Sequence, residues 1–238
     1  MSTMKRLVDA GALVKIGSVP LVVPQSPVSA LRHHLAGNVC FDTTIPLHFA
    51  QIDLHGLLLQ AFYGRAVVPW AVRDELVGLT HNPQVGTGAA RLLAANALPR
   101  IIPSDPELAA VAKNIVNQIA QLRQQLSLTR GQDIPASADR GEAAAIAICQ
   151  RYAIQPMSLL AQDGLAKRAA AKYGIPILGA AHALLAICLA GFMTPEEAWV
   201  HYLEMSRRGL AHREFAPNPD GRKLFLATFA QLVALGDK

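Results

Sequence analysis

Charged side chains are scarce in this sequence: they make up 16% of its 238 residues, whereas 52% are hydrophobic. So few charges leave much of a domain surface apolar, and we therefore expect another chain to cover part of it, most simply in a homo-oligomer. The charges that are present sum to +5, and the isoelectric point is near 9.3. A basic balance of this kind favours a polyanionic partner over an acidic substrate.

Motifs that mark several common enzyme classes are missing. The three cysteines, Cys40, Cys149 and Cys188, lack the CxxC spacing of a zinc or redox site, so we expect reduced, buried thiols. The sequence contains no Gly-x-Ser-x-Gly elbow and no HExxH helix. Gly86 and Gly88 are not followed by Gly-Lys-Ser/Thr, which argues against a phosphate loop.

No apolar run is long enough to cross a membrane. The longest, around residues 180–190, is too short for a bilayer and contains His182. The N-terminal apolar stretch is interrupted by Asp9, Gly11 and Lys15, unlike the core of a signal peptide. We therefore expect a soluble, cytoplasmic protein with no membrane association.

Strand-like apolar runs alternate with helical patterns along the chain. One long helix, predicted to open at Asp105 and Pro106, has apolar residues at intervals of three and four, as an amphipathic helix requires. Strands separated by helices form parallel βαβ units with right-handed crossovers. The sequence therefore predicts a three-layer α/β fold, a central parallel sheet flanked by helices, with strands at 39–43, 66–68, 100–103, 157–161 and 176–178.

Four acidic residues stand where an apolar run ends or a helix begins: Asp42, Glu75, Glu142 and Asp163. Ligands of an open parallel sheet bind in the crevice outside the carboxyl ends of its strands. Carboxylate oxygens are ligands that Mg²⁺ and Mn²⁺ prefer, and a cluster of acids can hold one ion or a pair. The pattern therefore predicts a divalent-cation site at this edge of the sheet.

Each of these acids also has a structural interpretation. Asp42 is suited to capping the turn after the first strand, and Glu75 to being a solvated helix residue. Asp139 as N-cap and Glu142 three residues later form a capping-box-like pair, which is sufficient to explain both. A polar loop over 129–138 comes directly before Asp139 and is placed to cover a site.

Five segments together resemble a PIN domain, and more narrowly the PIN-like toxin nucleases of prokaryotic toxin–antitoxin pairs. Their order and spacing carry the resemblance. It spans residues 38–208 and leaves an N-terminal extension, 1–37, and a C-terminal linker and helix, 209–238. The segments are VCFDTTI at 39–45, VVPWAVRDEL at 67–76, DRGEAAAIA at 139–147, LLAQD at 159–163 and YGIP at 173–176.

The resemblance implies a Mg²⁺- or Mn²⁺-dependent endoribonuclease, with RNA as substrate and an antitoxin protein as partner. The carboxylates that carry over as metal and catalytic residues are Asp42, Glu75, Glu142 and Asp163, with Asp139 as a further metal ligand. Two other functions fit the same sequence. One is a non-catalytic PIN-like module that binds nucleic acid or a protein, and the other is an α/β phosphohydrolase that acts on small substrates.

The fourth acid position departs from the family pattern. Gln162 stands where relatives carry an acid, and Asp163 follows one residue later. Successive strand residues point to opposite faces, so Asp163 reaches the site only if the strand has already ended. We favour this interpretation, because Gly164 permits a sharp turn. The alternative makes Asp163 a helix N-cap, and His182 is expected to be structural rather than a ligand.

Overall fold

The computed structural model describes residues 13–16, 19–22, 27–94, 98–125, 139–152, 157–211 and 214–236. The loop expected over 129–138 lies outside these ranges. Within them the strands are β1 (Leu13–Ile16), β2 (Val19–Val22), β3 (Asn38–Phe41), β4 (Ala66–Pro69), β5 (Arg100–Ile102), β6 (Met157–Leu160) and β7 (Ile177–Leu178). The helices are α1 (Pro27–Ala36), α2 (Thr44–Gln51), α3 (His55–Ala61), α4 (Trp70–Leu79), α5 (Gly86–Leu93), α6 (Pro106–Gln125), α7 (Arg140–Arg151), α8 (Gly164–Lys172), α9 (Ala180–Leu189), α10 (Pro195–Arg207) and α11 (Pro219–Ala234).

Strands β3 to β7 form one parallel sheet in the order β5-β4-β3-β6-β7. Strands β1 and β2 pair separately as an antiparallel hairpin. The chain enters the parallel sheet at its centre with β3, fills one half through β4 and β5, and then crosses to β6 and β7 in the other half. The strand order therefore reverses between β3 and β6. Open α/β sheets bind their ligands outside the carboxyl ends of the strands at such a reversal.

Helices cover both faces of the parallel sheet, which explains why β3, β4 and β6 are mostly apolar instead of alternating with polar residues. Val39 and Phe41 of β3 belong to a core shared with α2, α3, α9, α10 and α11. Cys40 and Leu159 belong to a second core, shared with α6, α7 and α8. The predicted three-layer α/β fold is therefore confirmed.

The two central strands end earlier than predicted. Strand β3 ends at Phe41, because Thr43 already has helical dihedral angles (φ −59°, ψ −37°) and α2 begins at Thr44. Strand β6 ends at Leu160, so Gln162 and the residue after it both lie beyond the strand. The side chains that follow these strands therefore need not point alternately to the two faces of the sheet.

The C-terminal helix packs into the first of the two cores. Helix α11 begins at Pro219, because the Asn218 side chain accepts a hydrogen bond from the N–H of Gly221 at 2.9 Å and caps the helix. Phe225 and Leu232 are buried in the core with α9 and α10. This helix therefore belongs to the layer that covers one face of the sheet.

None of the described helices is both long and apolar enough to cross a membrane. Helix α9, which contains the longest apolar run of the sequence, has ten residues. The cysteines Cys40, Cys149 and Cys188 are buried and form no disulfide, as predicted.

Candidate metal centre

Asp42 is fully buried at the carboxyl end of β3. Its backbone N–H donates to the carbonyl oxygen of Leu160 at 3.1 Å, which holds it beside the end of β6. Its carboxylate accepts hydrogen bonds from the N–H of Thr43 at 2.6 Å and from the hydroxyl of Thr44 at 2.5 Å. Burial raises the pKa of Asp42 to about 6; the charge of Glu75 adds to this shift, whereas the two threonine hydrogen bonds oppose it.

Glu75 connects three elements at this edge of the sheet. It lies on α4, and its carboxylate accepts a hydrogen bond from the hydroxyl of Thr43 at 2.5 Å. The other carboxylate oxygen accepts from the backbone N–H of Gly141, in the first turn of α7, at 2.7 Å. A Cβ at Gly141 would lie only 2.5 Å from a Glu75 carboxylate oxygen, so glycine is what allows this approach. The Glu75 side chain is therefore held by hydrogen bonds from Thr43 and Gly141 and is not a solvated helix residue.

Glu142 follows Gly141 in the first turn of α7. Burial, together with the charges of Asp42, Glu75 and Asp139, raises the pKa of Glu142 to about 9. Because the charges of the other three acids all reach Glu142, the structure brings Asp42, Glu75, Asp139 and Glu142 into one electrostatic neighbourhood. We call these four residues the acidic cluster. Without a cation, Glu142 carries a proton at neutral pH.

Asp139 does not cap α7, so the capping-box interpretation of Asp139 and Glu142 is wrong. Asp139 has a left-handed backbone conformation with φ 66°, and its side chain makes no capping hydrogen bond. Its carboxylate instead accepts a hydrogen bond from the guanidinium of Arg123 on α6, at 2.6 Å, with both side chains largely buried. The first turn of α7 instead donates a hydrogen bond, from the N–H of Gly141, to the carboxylate of Glu75 on α4.

Asp163 caps α8. One of its carboxylate oxygens accepts hydrogen bonds from the N–H groups of Leu165 and Ala166, at 2.7 and 3.0 Å. The N-cap interpretation is therefore confirmed, and the ligand role of Asp163 stays a prediction. Gln162 is buried; its side-chain oxygen accepts from the N–H of Ala180 at 3.2 Å, and its side-chain nitrogen has no hydrogen-bond partner among the described residues.

Arg123 is a site residue that the sequence did not indicate. The hydrogen bond to Asp139 raises the pKa of Arg123, and the charges of Asp139, Asp163 and Glu142 contribute in the same direction. Arg123 is separated from Asp139 by 16 residues, and its position on the polar face of α6 gives no local signal. The apolar intervals of three and four in α6 show which face of the helix is polar. They could have located Arg123 at the site only if the packing of α6 on α7 had been known.

Glu214 forms a second polar group near the end of β7. Its carboxylate lies 3.6 Å from the ammonium of Lys167. Burial raises the pKa of Glu214, and Lys167 opposes this shift. A Cβ at Gly179 would overlap the Glu214 carboxylate, so glycine is required there.

His182 has the structural role expected from the sequence. Its Nδ1 accepts a hydrogen bond from the N–H of Gly179 at 3.0 Å. Burial lowers the pKa of His182 to about 4, and the charge of Lys167 contributes. The imidazole is therefore neutral at physiological pH and acts as a helix-end acceptor.

The donor chemistry of the acidic cluster fits a hard cation. In the described part of the chain, no three acidic, histidine or cysteine side chains are gathered closely enough to ligate one ion. Ligation would require the carboxylates to rotate from the hydrogen-bonded positions given above. All four offer oxygen donors, which Mg²⁺ and Mn²⁺ prefer, and a divalent charge would lower the raised pKa values of Asp42 and Glu142. Asp42, Glu75, Asp139 and Glu142 are the residues that would hold the ion.

A cavity of about 840 Å³ lies at the opposite edge of the sheet, where β3, β4, β5 and β6 begin. Arg65 in its wall donates hydrogen bonds to the carbonyl oxygens of Leu35, Gly37 and Ala61, so this guanidinium is already engaged by the backbone. The acidic cluster lies at the carboxyl ends of the strands and shares no residue with this cavity. We therefore place the candidate site at the carboxyl edge.

Comparison of the chain with models of protein families, with curated proteins and with solved structures finds no match. The acidic cluster and the five sequence segments quoted above are therefore the features of the chain that indicate a function.

Proposed function

We propose that the protein is a Mg²⁺- or Mn²⁺-dependent endoribonuclease of the PIN-like type that acts in the cytoplasm as the toxin of a toxin–antitoxin pair. The observation that carries this proposal is the acidic cluster at the reversal of strand order between β3 and β6. Metal-assisted phosphodiester hydrolysis needs concentrated carboxylates to hold the cation. The net charge of +5 supports RNA as the substrate, because a basic protein attracts a polyanion.

In this proposal the protein groups mainly position the reacting centre. Asp42, Glu75, Asp139 and Glu142 would hold the cation, which when bound neutralises phosphate charge and lowers the pKa of a water ligand. The hydroxyl of Thr44 fixes the orientation of the Asp42 carboxylate. Glu75 ties α4 to the first turn of α7, so the two helices that carry the acids keep a fixed separation.

A non-catalytic PIN-like module that binds nucleic acid or a protein is the second candidate. Asp163 caps α8, and Gln162 occupies the place where the family carries an acid. The end of β6 therefore offers less free anionic charge than the family pattern has. A module of this kind would bind RNA and leave it intact.

Cleavage of an end-labelled RNA by the purified protein tests the proposal. We expect cleavage with Mn²⁺ or Mg²⁺ and none with EDTA. Asp42→Asn should lower the rate by roughly 100-fold or more, because the amide keeps the shape of the side chain but removes its charge. Asp220→Asn, the same substitution at an exposed position of α11, should leave the rate unchanged.

Two other outcomes of this assay would contradict the nuclease proposal. RNA binding by the wild type without cleavage under any metal condition would favour the non-catalytic module. Hydrolysis of small phosphoesters with no cleavage of RNA would favour the phosphohydrolase.

Induced expression in a bacterial host tests the toxin part of the proposal. We expect wild-type protein to arrest growth and Asp42→Asn to leave growth unaffected, with Asp220→Asn arresting growth like the wild type. An antitoxin encoded beside the gene should co-purify with the chain and restore growth. Equal growth with wild type and Asp42→Asn would contradict the toxin role.

Self-association of the chain is also part of the proposal. Val200 on α10 and Leu224 on α11 are 62% and 59% exposed. These apolar side chains, together with the scarcity of charges, favour contact with a second chain. Light scattering should therefore give a mass above that of one chain. A single-chain mass at every accessible concentration would contradict it.

A further inference from the structure

A groove of about 300 Å³ lies between α4, α6 and α7 at the same carboxyl edge of the sheet as the acidic cluster. Its polar and aromatic residues are Trp70 from the start of α4, Ser104 after β5, Lys113 from α6 and Arg140 from the start of α7. We call it the α4–α6 groove. Small apolar residues complete its lining: Ala71, Ala109, Ala112 and Val116. Its volume is at the lower end of the range for small-molecule sites.

The groove and the acidic cluster share two helices. Arg140 directly precedes Gly141, whose N–H donates to Glu75. Trp70 is the first residue of α4, the helix that carries Glu75 just over one turn later. A chain of RNA bound at the acidic cluster would therefore have a neighbouring nucleotide close to the groove.

The polar groups of the groove are suited to a phosphate. Lys113 and Arg140 are exposed, and within the described ranges neither forms an ion pair with an acid. Ser104 adds an exposed hydroxyl. The first two residues of α4, Trp70 and Ala71, border the groove, and the N-cap Pro69 offers no side-chain acceptor to the positive end of this helix.

Trp70 adds a surface for a base. Its indole is partly buried against the core that contains α6 and α7, which holds the ring in place, and it also lines the groove. Stacking of a nucleobase on an aromatic side chain is tolerant of sequence and strong enough to anchor single-stranded RNA. Free cations together with a held aromatic ring form the combination that single-stranded nucleic acid requires.

We propose that the α4–α6 groove is a nucleotide subsite, in which Lys113, Arg140 and Ser104 bind a phosphate of the RNA and Trp70 stacks on the adjoining base. This inference rests on the proposed ribonuclease function and assigns the position of the nucleotide next to the one that is cleaved. It makes Trp70 and Lys113 determinants of RNA binding, separate from the carboxylates of the acidic cluster.

Binding of a fluorescent single-stranded RNA of about eight nucleotides in EDTA, followed by anisotropy, tests the cationic half of the groove. Lys113→Glu should weaken binding about tenfold and lower the slope of log K against log salt concentration by roughly 0.7 or more, the share of one phosphate contact. Lys172→Glu makes the same charge change at the far end of α8, at the opposite edge of the sheet, and should behave like the wild type. Equal effects of the two variants, or no effect of Lys113→Glu, would overturn the subsite.

Tryptophan fluorescence tests the stacking half. The chain has two tryptophans, so Trp199→Phe leaves Trp70 as the sole reporter. In this background, the eight-nucleotide RNA and uridine monophosphate should quench the emission, whereas inorganic phosphate should not. Trp70→Leu, with folding checked by circular dichroism, should weaken RNA binding about tenfold, and Trp70→Phe should restore most of it. RNA binding without quenching of Trp70 would overturn the stacking assignment.

The cleavage and binding assays distinguish a wrong subsite assignment from a wrong nuclease proposal. Asp42-dependent cleavage together with unchanged RNA binding in Lys113→Glu would overturn the groove and leave the nuclease. Groove-dependent binding and quenching without metal-dependent cleavage would support the subsite and overturn the nuclease.

Discussion

The carboxylate of Glu75 accepts a hydrogen bond from the backbone N–H of Gly141 at 2.7 Å. This contact joins α4, which carries Glu75, to the first turn of α7. The same carboxylate accepts a hydrogen bond from the hydroxyl of Thr43, the residue after Asp42. One side chain therefore fixes the end of β3 relative to α7. The position of Glu142 relative to Asp42 depends on this contact, because Glu142 is the next residue of that turn.

Gly141→Ala should break this contact. The new Cβ would lie 2.5 Å from a Glu75 carboxylate oxygen, so the carboxylate or α7 has to move. We expect a loss of about 1–3 kcal/mol in the free energy of unfolding, because a partly buried hydrogen bond is broken and the packing around it is displaced, and a large loss of RNA cleavage. Urea denaturation and the cleavage assay measure the two effects. Gly164→Ala, at the start of α8 with nothing within 4 Å of its Cβ, should lower neither.

The raised pKa of Glu142 predicts the pH dependence of stability in the metal-free protein. The ordinary pKa of a glutamate is 4.5, and in the folded chain that of Glu142 is about 9. Between these values the folded state holds a proton that the unfolded state has released, so the free energy of unfolding falls as pH rises through this interval. Asp42, with its pKa raised to about 6, contributes in the same direction at lower pH.

Glu142→Gln should therefore be more stable than the wild type at pH 8 in EDTA, by at least about 1 kcal/mol, which is roughly the equivalent of one pKa unit. The difference should shrink toward pH 5, because the unfolded wild-type chain then begins to hold the same proton as the folded chain. Urea denaturation at pH 5, 6.5 and 8 measures it. Glu196→Gln, at an exposed position of α10, should follow the wild-type pH course, and a variant of Glu142 that does so too would contradict the prediction.

The sheet and the gathering of the acids could be predicted from the sequence, because both follow from local patterns. Continuous apolar runs separated by helices specify a parallel sheet covered on both faces. Asp42 and Glu75 follow neighbouring strands, so their convergence is a consequence of strand order. Glu142 begins the helix that leads into β6, and that also places it at the carboxyl edge.

The contacts within the site could not be predicted, because they depend on packing between distant segments. Asp139 and Glu142 have the spacing of a capping box, yet Asp139 is left-handed and paired with Arg123. Arg123 reaches Asp139 only because α6 packs on α7. Glu214 reaches Lys167 only because the segment before α11 returns to the sheet. No periodicity in the sequence encodes these pairings.

Arg123→Gln should tighten the binding of Mn²⁺ to the acidic cluster. The guanidinium lies beside Asp139 and interacts with the charges of Asp163 and Glu142, so it competes with a cation for the same negative charge. Removing it should strengthen Mn²⁺ binding about fivefold, the effect of roughly 1 kcal/mol between nearby charges. Isothermal titration calorimetry measures this, with Arg73→Gln on the exposed face of α4 as the control. Weaker Mn²⁺ binding in Arg123→Gln would instead mean that Arg123 only positions Asp139.

Substitutions of Asp163 separate its capping role from a role in the site. Asp163→Ala removes the acceptor for the N–H groups of Leu165 and Ala166 and should lower the free energy of unfolding by about 1 kcal/mol. Asp163→Asn keeps the acceptor and should be nearly as stable as the wild type, because asparagine is an equally good N-cap. If the charge of Asp163 also serves the acidic cluster, Asp163→Asn should still cleave RNA more slowly and bind Mn²⁺ more weakly. Wild-type cleavage and metal affinity in Asp163→Asn would confine this residue to capping α8 and leave the site with the four carboxylates of the acidic cluster.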